Sequence, residues 1–134
     1  MQSTAKIQDI YTLTPMQEGM LFHTLYDEKS SGYFQQISYR IYGDLEVEVV
    51  KKSLAFLFQR HEILRTSFIH QNTRRPVQVV LRERKPEIYD EDLRRLHQGQ
   101  EHAKEELIQK FKAKDKERSF DLTRDVLLRL TVLR

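Results

Sequence analysis

The sequence contains no cysteine and only four glycines, no two of which lie close together. Without cysteine there is no disulfide framework, no thiolate metal site and no cysteine nucleophile. Without a glycine cluster there is no loop of the kind that surrounds nucleotide phosphates, and no nucleophile elbow is present either. These absences exclude several common enzyme classes before any residue is assigned a role.

Long apolar runs are also absent, and the N-terminus lacks the basic-then-apolar pattern of a signal peptide. We therefore expect a soluble, cytoplasmic protein that does not bind a membrane. The net charge of +3 comes from basic residues interspersed with acidic ones, without the clustered basic and stacking aromatic residues typical of nucleic-acid binding. A solvated surface explains this charge, and attraction to an acidic protein partner is the alternative.

A chain of 134 residues is long enough for one domain with one core, and it contains no internal repeat or linker. Hydrophobic periodicity predicts helices packed on a mixed sheet, an α/β fold class in an α+β sandwich layout. The predicted elements are a helix over 15–26, a strand over 33–42, a helix over 46–60, a hairpin of 66–70 and 77–81, a short strand at 87–89, a helix over 98–119 and a strand over 126–133.

The first helix has the clearest start signal. Thr14 is a natural N-cap, Pro15 suits the first helical position, and Gln17 completes a capping box. The strand over 33–42 is predicted from the alternation of Ile37, Tyr39 and Ile41 with polar residues.

No complete catalytic constellation is apparent from the residues alone. No pair among the five histidines has metal-ligand spacing, so we expect no metal site. The histidines are His23, His61, His70, His97 and His102.

Two runs of residues carry a family resemblance. Residues 10 to 23 read Ile-Tyr-Thr-Leu-Thr-Pro-Met-Gln-Glu-Gly-Met-Leu-Phe-His and resemble the opening core motif of condensation domains from non-ribosomal peptide synthetases. Residues 60 to 68 read Arg-His-Glu-Ile-Leu-Arg-Thr-Ser-Phe and resemble the second core motif, Arg-His-Glu-x-Leu-Arg-Thr-x-Phe, at every specified position. The family's catalytic motif, His-His-x-x-x-Asp-Gly, does not occur in this sequence. We therefore interpret residues 1–134 as a single partial domain, the N-terminal part of a condensation domain.

The resemblance implies the N-terminal lobe of a chloramphenicol acetyltransferase-like fold. It also implies an activity: an amide bond forms between a donor acyl or peptidyl thioester and an acceptor aminoacyl thioester. Both substrates would arrive on the phosphopantetheine of donor and acceptor peptidyl carrier proteins, with no cofactor bound directly. A docking segment of an upstream synthetase is a further candidate partner. Two alternatives remain open: a carrier-protein docking module without catalysis, and an epimerisation or other acyltransferase-like relative of the same fold.

The resemblance also implies site residues, although the catalytic histidine is expected beyond Arg134. Other members carry an arginine in the first motif where this chain has Gly19, so support for the active-site loop must come from another residue. We expect Arg60 to hold the aspartate of the histidine motif bidentately, with Arg65 as the second candidate. The alternative is that Arg60 only caps its helix in solvent. Residues of the first motif are expected to line the substrate tunnel: Thr14, Pro15, Met16, Gln17 and Gly19.

Overall fold

The computed structural model describes residues 6–27, 33–95 and 101–134. Within these ranges the helices and strands alternate irregularly along the chain, and the α/β class predicted from the sequence is confirmed. The strands are β1 (Ile7–Thr12), β2 (Thr66–Ile69), β3 (Val77–Leu81), β4 (Glu87–Glu91) and β5 (Arg129–Leu133). The α-helices are α1 (Pro15–Tyr26), α2 (Val47–Arg60) and α3 (Glu101–Arg118), and short 3₁₀ turns cover Glu62–Arg65 and Leu93–Arg95.

The described strands form two sheets of different orientation. The first is antiparallel in the order β1-β3-β2, so the β2–β3 hairpin is extended by the N-terminal strand. The second is a parallel pair, β4 and β5, in which Glu87 lies opposite Arg129. Parallel neighbours require a crossover connection, and α3 lies between β4 and β5 in the sequence.

Local signals predicted both early helices correctly. The capping box is present, because Gln17 N donates to Thr14 Oγ1 and Thr14 N donates to Gln17 Oε1. The second helix begins one residue later than predicted, with Glu46 as its N-cap, and ends at Arg60 as expected. The β2–β3 hairpin is also confirmed, with Asn72 in the left-handed region of its loop, where asparagine is tolerated.

Two predictions about strands were wrong. Residues 33–42 form no strand, because their backbone makes no ladder with any residue that the structure describes. Conversely, β1 was missed. A register irregularity between Ile7 and Asp9 breaks the alternation on which strand prediction depends, and Ile7 and Ile10 are both about half exposed.

The last two elements differ from prediction at their ends. The strand predicted over 126–133 begins at Arg129, because Asp121 accepts hydrogen bonds from the backbone and hydroxyl of Thr123 and holds the preceding residues in a turn. The last helix ends at Arg118, where Ser119 adopts a left-handed φ of 53°. Its predicted start at 98–100 lies outside the described residues.

The buried core lies where α2 packs on the three-stranded sheet. Phe58 is fully buried, and Val80 is 2% exposed. The apolar stripe of α1 is poorly covered by comparison, since Leu21 is buried but Met16 is 74% exposed. The buried apolar residues are Leu13, Leu21, Val47, Leu54, Phe58, Val79, Val80 and Val132.

Candidate functional site

The first motif is fixed to the sheet by a single side chain. Gln17 closes the capping box with its Oε1 atom and also exchanges hydrogen bonds with the Gln78 amide of β3, at 3.2 and 3.3 Å. Gln78 in turn donates to the carbonyl of Thr12, at 3.1 Å. The start of α1 is therefore held in place relative to β1 and β3.

The other predicted residues of the first motif face outward. Pro15 and Met16 are exposed on the first turn of α1. A Cβ built on Gly19 would meet no atom within 4 Å, so the helix has room there for a longer side chain. Of the five first-motif residues, Gln17 is the one that borders the large groove described below.

Arg65 of the second motif is buried and hydrogen-bonded through its Nε and Nη1 atoms. Its Nε donates to the carbonyl of Phe58 at 2.8 Å, and its Nη1 contacts Gln8 Oε1 at 3.0 Å. The same Nη1 contacts the carbonyls of Leu81 and Arg82 at the end of β3. This guanidinium therefore joins α2, β1 and β3.

Arg60 has the opposite environment. It is exposed in the last turn of α2, where a cation suits the helix dipole. Its guanidinium forms neither a hydrogen bond nor an ion pair with any residue that the structure describes. The two candidates for loop support therefore differ. The guanidinium of Arg65 is bound within the fold, whereas that of Arg60 is exposed and can bind a further group.

Sequence reasoning missed Gln8, which connects the second motif to the N-terminal strand. Gln8 accepts from Arg65 and donates to Glu62 Oε1 at 2.6 Å. No pattern signalled it, because Gln8 lies at the irregular register of β1. His61 serves as the C-cap of α2, and its carbonyl accepts from the backbone of Leu64.

The ring of His23 lies among aromatic side chains. Its ring lies 5.6 Å from Phe22 and 6.4 Å from Tyr33, measured between centroids.

Tyr11 of β1 has its pKa raised, chiefly because its hydroxyl donates to the Asp9 carboxylate. Among the described residues no group of three His, Cys, Asp or Glu could hold a metal ion.

A groove of about 1590 Å³ borders this region. Its walls are the end of α1, residues 33–41 and 43–48, α3 and β5, so it is formed by elements from both halves of the chain. At its rim Asp90 lies 3.3 Å from Arg134 and 3.7 Å from Lys51, which brings the end of β5 close to the first turns of α2. None of the described helices combines the length and apolarity that a membrane crossing requires.

Comparisons with known proteins identify the family. Residues 7–134 match the family described as Condensation domain. The chain belongs to the condensation-domain family. This membership confirms the resemblance that the two motifs indicated.

The condensation-domain chain is similar to parts of much longer proteins. It is 47% identical, over all of its length, to one of the plipastatin synthase proteins of Bacillus subtilis (strain 168). It is 46% identical over 98% of its length to one of the linear gramicidin synthase proteins of Brevibacillus parabrevis, and 40% identical over 98% to surfactin synthase subunit 3 of Bacillus subtilis (strain 168). The chain spans 5%, 2% and 10% of the lengths of these three relatives. A solved structure described as "The crystal structure of CT" aligns over 66% of this chain and 19% of that chain, with 23% identity and a TM-score of 0.46.

Proposed function

We propose that this chain is the N-terminal part of a condensation domain that forms an amide bond in a non-ribosomal peptide synthetase. The amine of an acceptor aminoacyl thioester would attack the carbonyl of a donor acyl or peptidyl thioester. The carbon–nitrogen bond forms, the amine loses a proton, and the donor carrier's phosphopantetheine leaves as a thiol. The donor and acceptor peptidyl carrier proteins are the proposed partners. The observation that carries the proposal is the family match over 7–134, which contains both motifs.

Within this proposal, Arg60 is the residue that supports the active-site loop. A guanidinium can hold a carboxylate through two parallel hydrogen bonds and thereby fix the loop that carries it. Arg65 already donates to three backbone carbonyls and Gln8, whereas Arg60 makes no such bond with the described residues. The contrast supports Arg60 over Arg65 for this role.

The position of β5 gives a rough length for the connection to that carboxylate. Asp90 brings Arg134 near Lys51, and Arg60 lies nine residues further along α2. At 1.5 Å per residue the separation along the helix axis is about 14 Å. An extended chain covers about 3.3 Å per residue, so about four residues of a continuation of β5 would span this length of helix, and fewer once the reach of the side chains is included.

The test is Arg60→Ala in the intact parent synthetase. We expect amide formation to fall at least tenfold (about 1.4 kcal/mol in the barrier) while amino acids are still loaded onto both carriers, because only the loop loses its support. Arg74→Ala is the matched control, since Arg74 is an exposed arginine of the β2–β3 loop. The isolated 134-residue chain serves as the blank and should form no amide.

The readouts are peptide yield and the carrier loading of each variant, followed by mass spectrometry. Near-parental yield from Arg60→Ala would remove the assigned role. Equal losses from Arg60→Ala and Arg74→Ala would show a general charge effect rather than loop support.

A further inference from the structure

Arg84 lies where the two sheets meet. It belongs to the connection between β3 and β4, so it follows the central strand of the first sheet and precedes the second sheet. Its Nη1 donates to the Ser67 hydroxyl of β2 at 2.5 Å, and its Nη2 donates to the carbonyl of Arg124. One guanidinium therefore connects the second motif to the turn over 121–125, which precedes β5.

This turn is held by its own hydrogen bonds. Asp121 Oδ1 accepts from the backbone N–H of Thr123 at 2.9 Å, and the backbone N–H of Asp121 donates to Asp125 Oδ2 at 2.8 Å. The backbone N–H of Asp125 donates in turn to the Asp121 carbonyl at 2.8 Å. Bonds between aspartate side chains and nearby backbone groups stabilise a turn locally. The turn is therefore a defined unit, and its contacts with other segments decide where it lies.

A backbone hydrogen bond and the Arg84 bridge attach this turn to β2. The N–H of Phe68 donates to the carbonyl of Leu122 at 2.9 Å, and Arg84 spans from Ser67 to Arg124. Since β2 is an edge strand, its N–H groups on the side away from β3 are open to such a contact. Ser67 itself is only 5% exposed, so the bridge is anchored at a fixed point of the second motif.

The surroundings of Arg84 favour a role in geometry over one in stability. Its two acceptors are a hydroxyl and a backbone carbonyl, which carry no charge. Burial lowers the pKa of Arg84, and attraction by Asp125 opposes this only in part. The lost hydration of the guanidinium therefore offsets much of what its hydrogen bonds contribute. The forked donors still fix the separation of the two groups that they hold.

We propose that Arg84 is a positioning residue for amide formation, which holds β5 in the correct place relative to Arg60. Ser67 belongs to the same motif as Arg60, and the turn leads into β5, which begins at Arg129. A shift at this junction would displace β5 and every segment that continues from it, including the loop proposed to bind Arg60. Misplacement of catalytic groups by about 1 Å lowers a rate by up to about a hundredfold. The inference rests on the proposed function, because Arg84 acts through the pairing assigned to Arg60.

The test is Arg84→Met in the intact parent synthetase. We expect kcat for amide formation to fall at least about tenfold, with the KM for each carrier-bound substrate changed by less than about twofold, because the loop rather than a substrate contact is displaced. Lys85→Met is the matched control, since Lys85 is an exposed cation of the same connection, and it should keep the parental kcat. Arg84→Lys keeps the charge without the forked donors, so it should recover less than half of the lost rate.

A double variant tests whether Arg84 acts through Arg60. In Arg60→Ala the loop has already lost its support, so adding Arg84→Met should lower kcat further by less than about twofold. Two residues that act independently would instead give losses that multiply. The double variant therefore separates positioning of the loop from other effects of the substitution.

Hydrogen exchange reports on the junction itself and does not depend on turnover. In Arg84→Met the Phe68 amide should exchange at least about tenfold faster, because the bond to Leu122 loses the bridge beside it. Amides that pair β2 with β3 should change little. Mass spectrometry with fragmentation to single residues resolves the Phe68 amide in the parent and in the variant.

Several results would overturn the inference. Parental kcat or parental exchange at Phe68 in Arg84→Met would each show that Arg84 does not hold the junction in place. Equal losses from Arg84→Met and Lys85→Met would show a general charge effect, and losses that multiply in the double variant would show that Arg84 does not act through Arg60. A β2–β3 ladder that opens together with the Phe68 amide would assign Arg84 to the stability of the fold. If the unmodified parent forms no amide, the proposed function fails and this inference with it, whereas an active parent matched by Arg84→Met removes the inference alone.

Discussion

Each half of the molecule contains an arginine that joins several chain segments, Arg65 in one and Arg129 in the other, and their surroundings differ. Arg65 joins α2, β1 and β3 in the half that contains both motifs. Arg129 joins β5 to the end of α3, through Asp115 at 2.6 Å and the Ser119 carbonyl at 2.6 Å, and its guanidinium lies 4.2 Å from the ring centroid of Phe120. Both use one guanidinium to hold several chain segments. Arg65 lies at the three-stranded sheet, whose central strand β3 is paired on both sides, whereas Arg129 lies at the two-stranded β4–β5 pair.

The distribution of buried residues shows the same difference. The α2–sheet half contributes Phe58, Val79 and Val80 to the core, whereas Val132 is the one core residue that α3, β4 and β5 contribute among the described residues. We therefore expect the half with the motifs to be the more stable part of the described chain, because the half that borders the groove has little core of its own. Mutations in the two halves should thus have separable effects.

The largest effect is expected from Arg65→Met. The substitution removes a charge-assisted hydrogen-bond donor and leaves the carbonyls of Phe58, Leu81 and Arg82 without it. We expect a loss of about 3 kcal/mol in the free energy of unfolding, measured by urea denaturation. Arg60→Met is the control at an exposed position of the same motif and should change stability by no more than about 0.5 kcal/mol.

A comparable loss from both variants would contradict the assignment of separate roles to Arg60 and Arg65. Arg65→Lys sharpens the result. A lysine cannot reproduce the forked donor geometry. Arg65→Lys should therefore recover less than half of the free energy of unfolding that Arg65→Met loses.

A smaller and local effect is expected from Arg129→Met. The Arg129 side chain is 7% exposed and the Asp115 side chain 19%, so breaking this ion pair should cost about 2 kcal/mol. The loss should appear in hydrogen exchange as faster opening of the β4–β5 pair, with the β2–β3 ladder little changed. If both sheets open together, the chain is one cooperative unit and the comparison of two halves fails.

Which parts of this structure were predictable depends on how local their causes are. The capping box at Thr14 and the stripe of α2 act within one or two turns, so the sequence predicted both helices. The pattern over 33–42 separated Ile37, Tyr39 and Ile41 from the polar residues between them, and the structure leaves these three exposed while Gln36 and Arg40 contact α3. A strand also needs a neighbour, and no described residue supplies one. Local pattern therefore indicates the potential for pairing but does not show whether a partner is present.

The site was predictable in part for the same reason. The second motif contains both Arg60 and Arg65. Both stayed candidates at the level of the sequence, because spacing along the chain cannot show which guanidinium is buried. That distinction depends on Gln8 and on the end of β3, which lie 57 and 16 residues away in the sequence. Long-range contacts of this kind become visible only in three dimensions.

The smallest predicted effect is at the bidentate pair between Glu87 of β4 and Arg118 of α3. Both side chains are more than a third exposed, so Glu87→Gln should cost only about 0.5 kcal/mol at pH 7. The hydrogen bonds from Arg118 lower the pKa of Glu87 in the folded chain. A lowered pKa stabilises the fold above the unfolded-state pKa, and this contribution disappears as the pH falls through the folded-state pKa. Urea denaturation of both proteins from pH 7 downward should therefore show a small difference that vanishes in acid. A difference that grows as the pH falls would contradict the assigned ion pair and the link between α3 and β4 that depends on it.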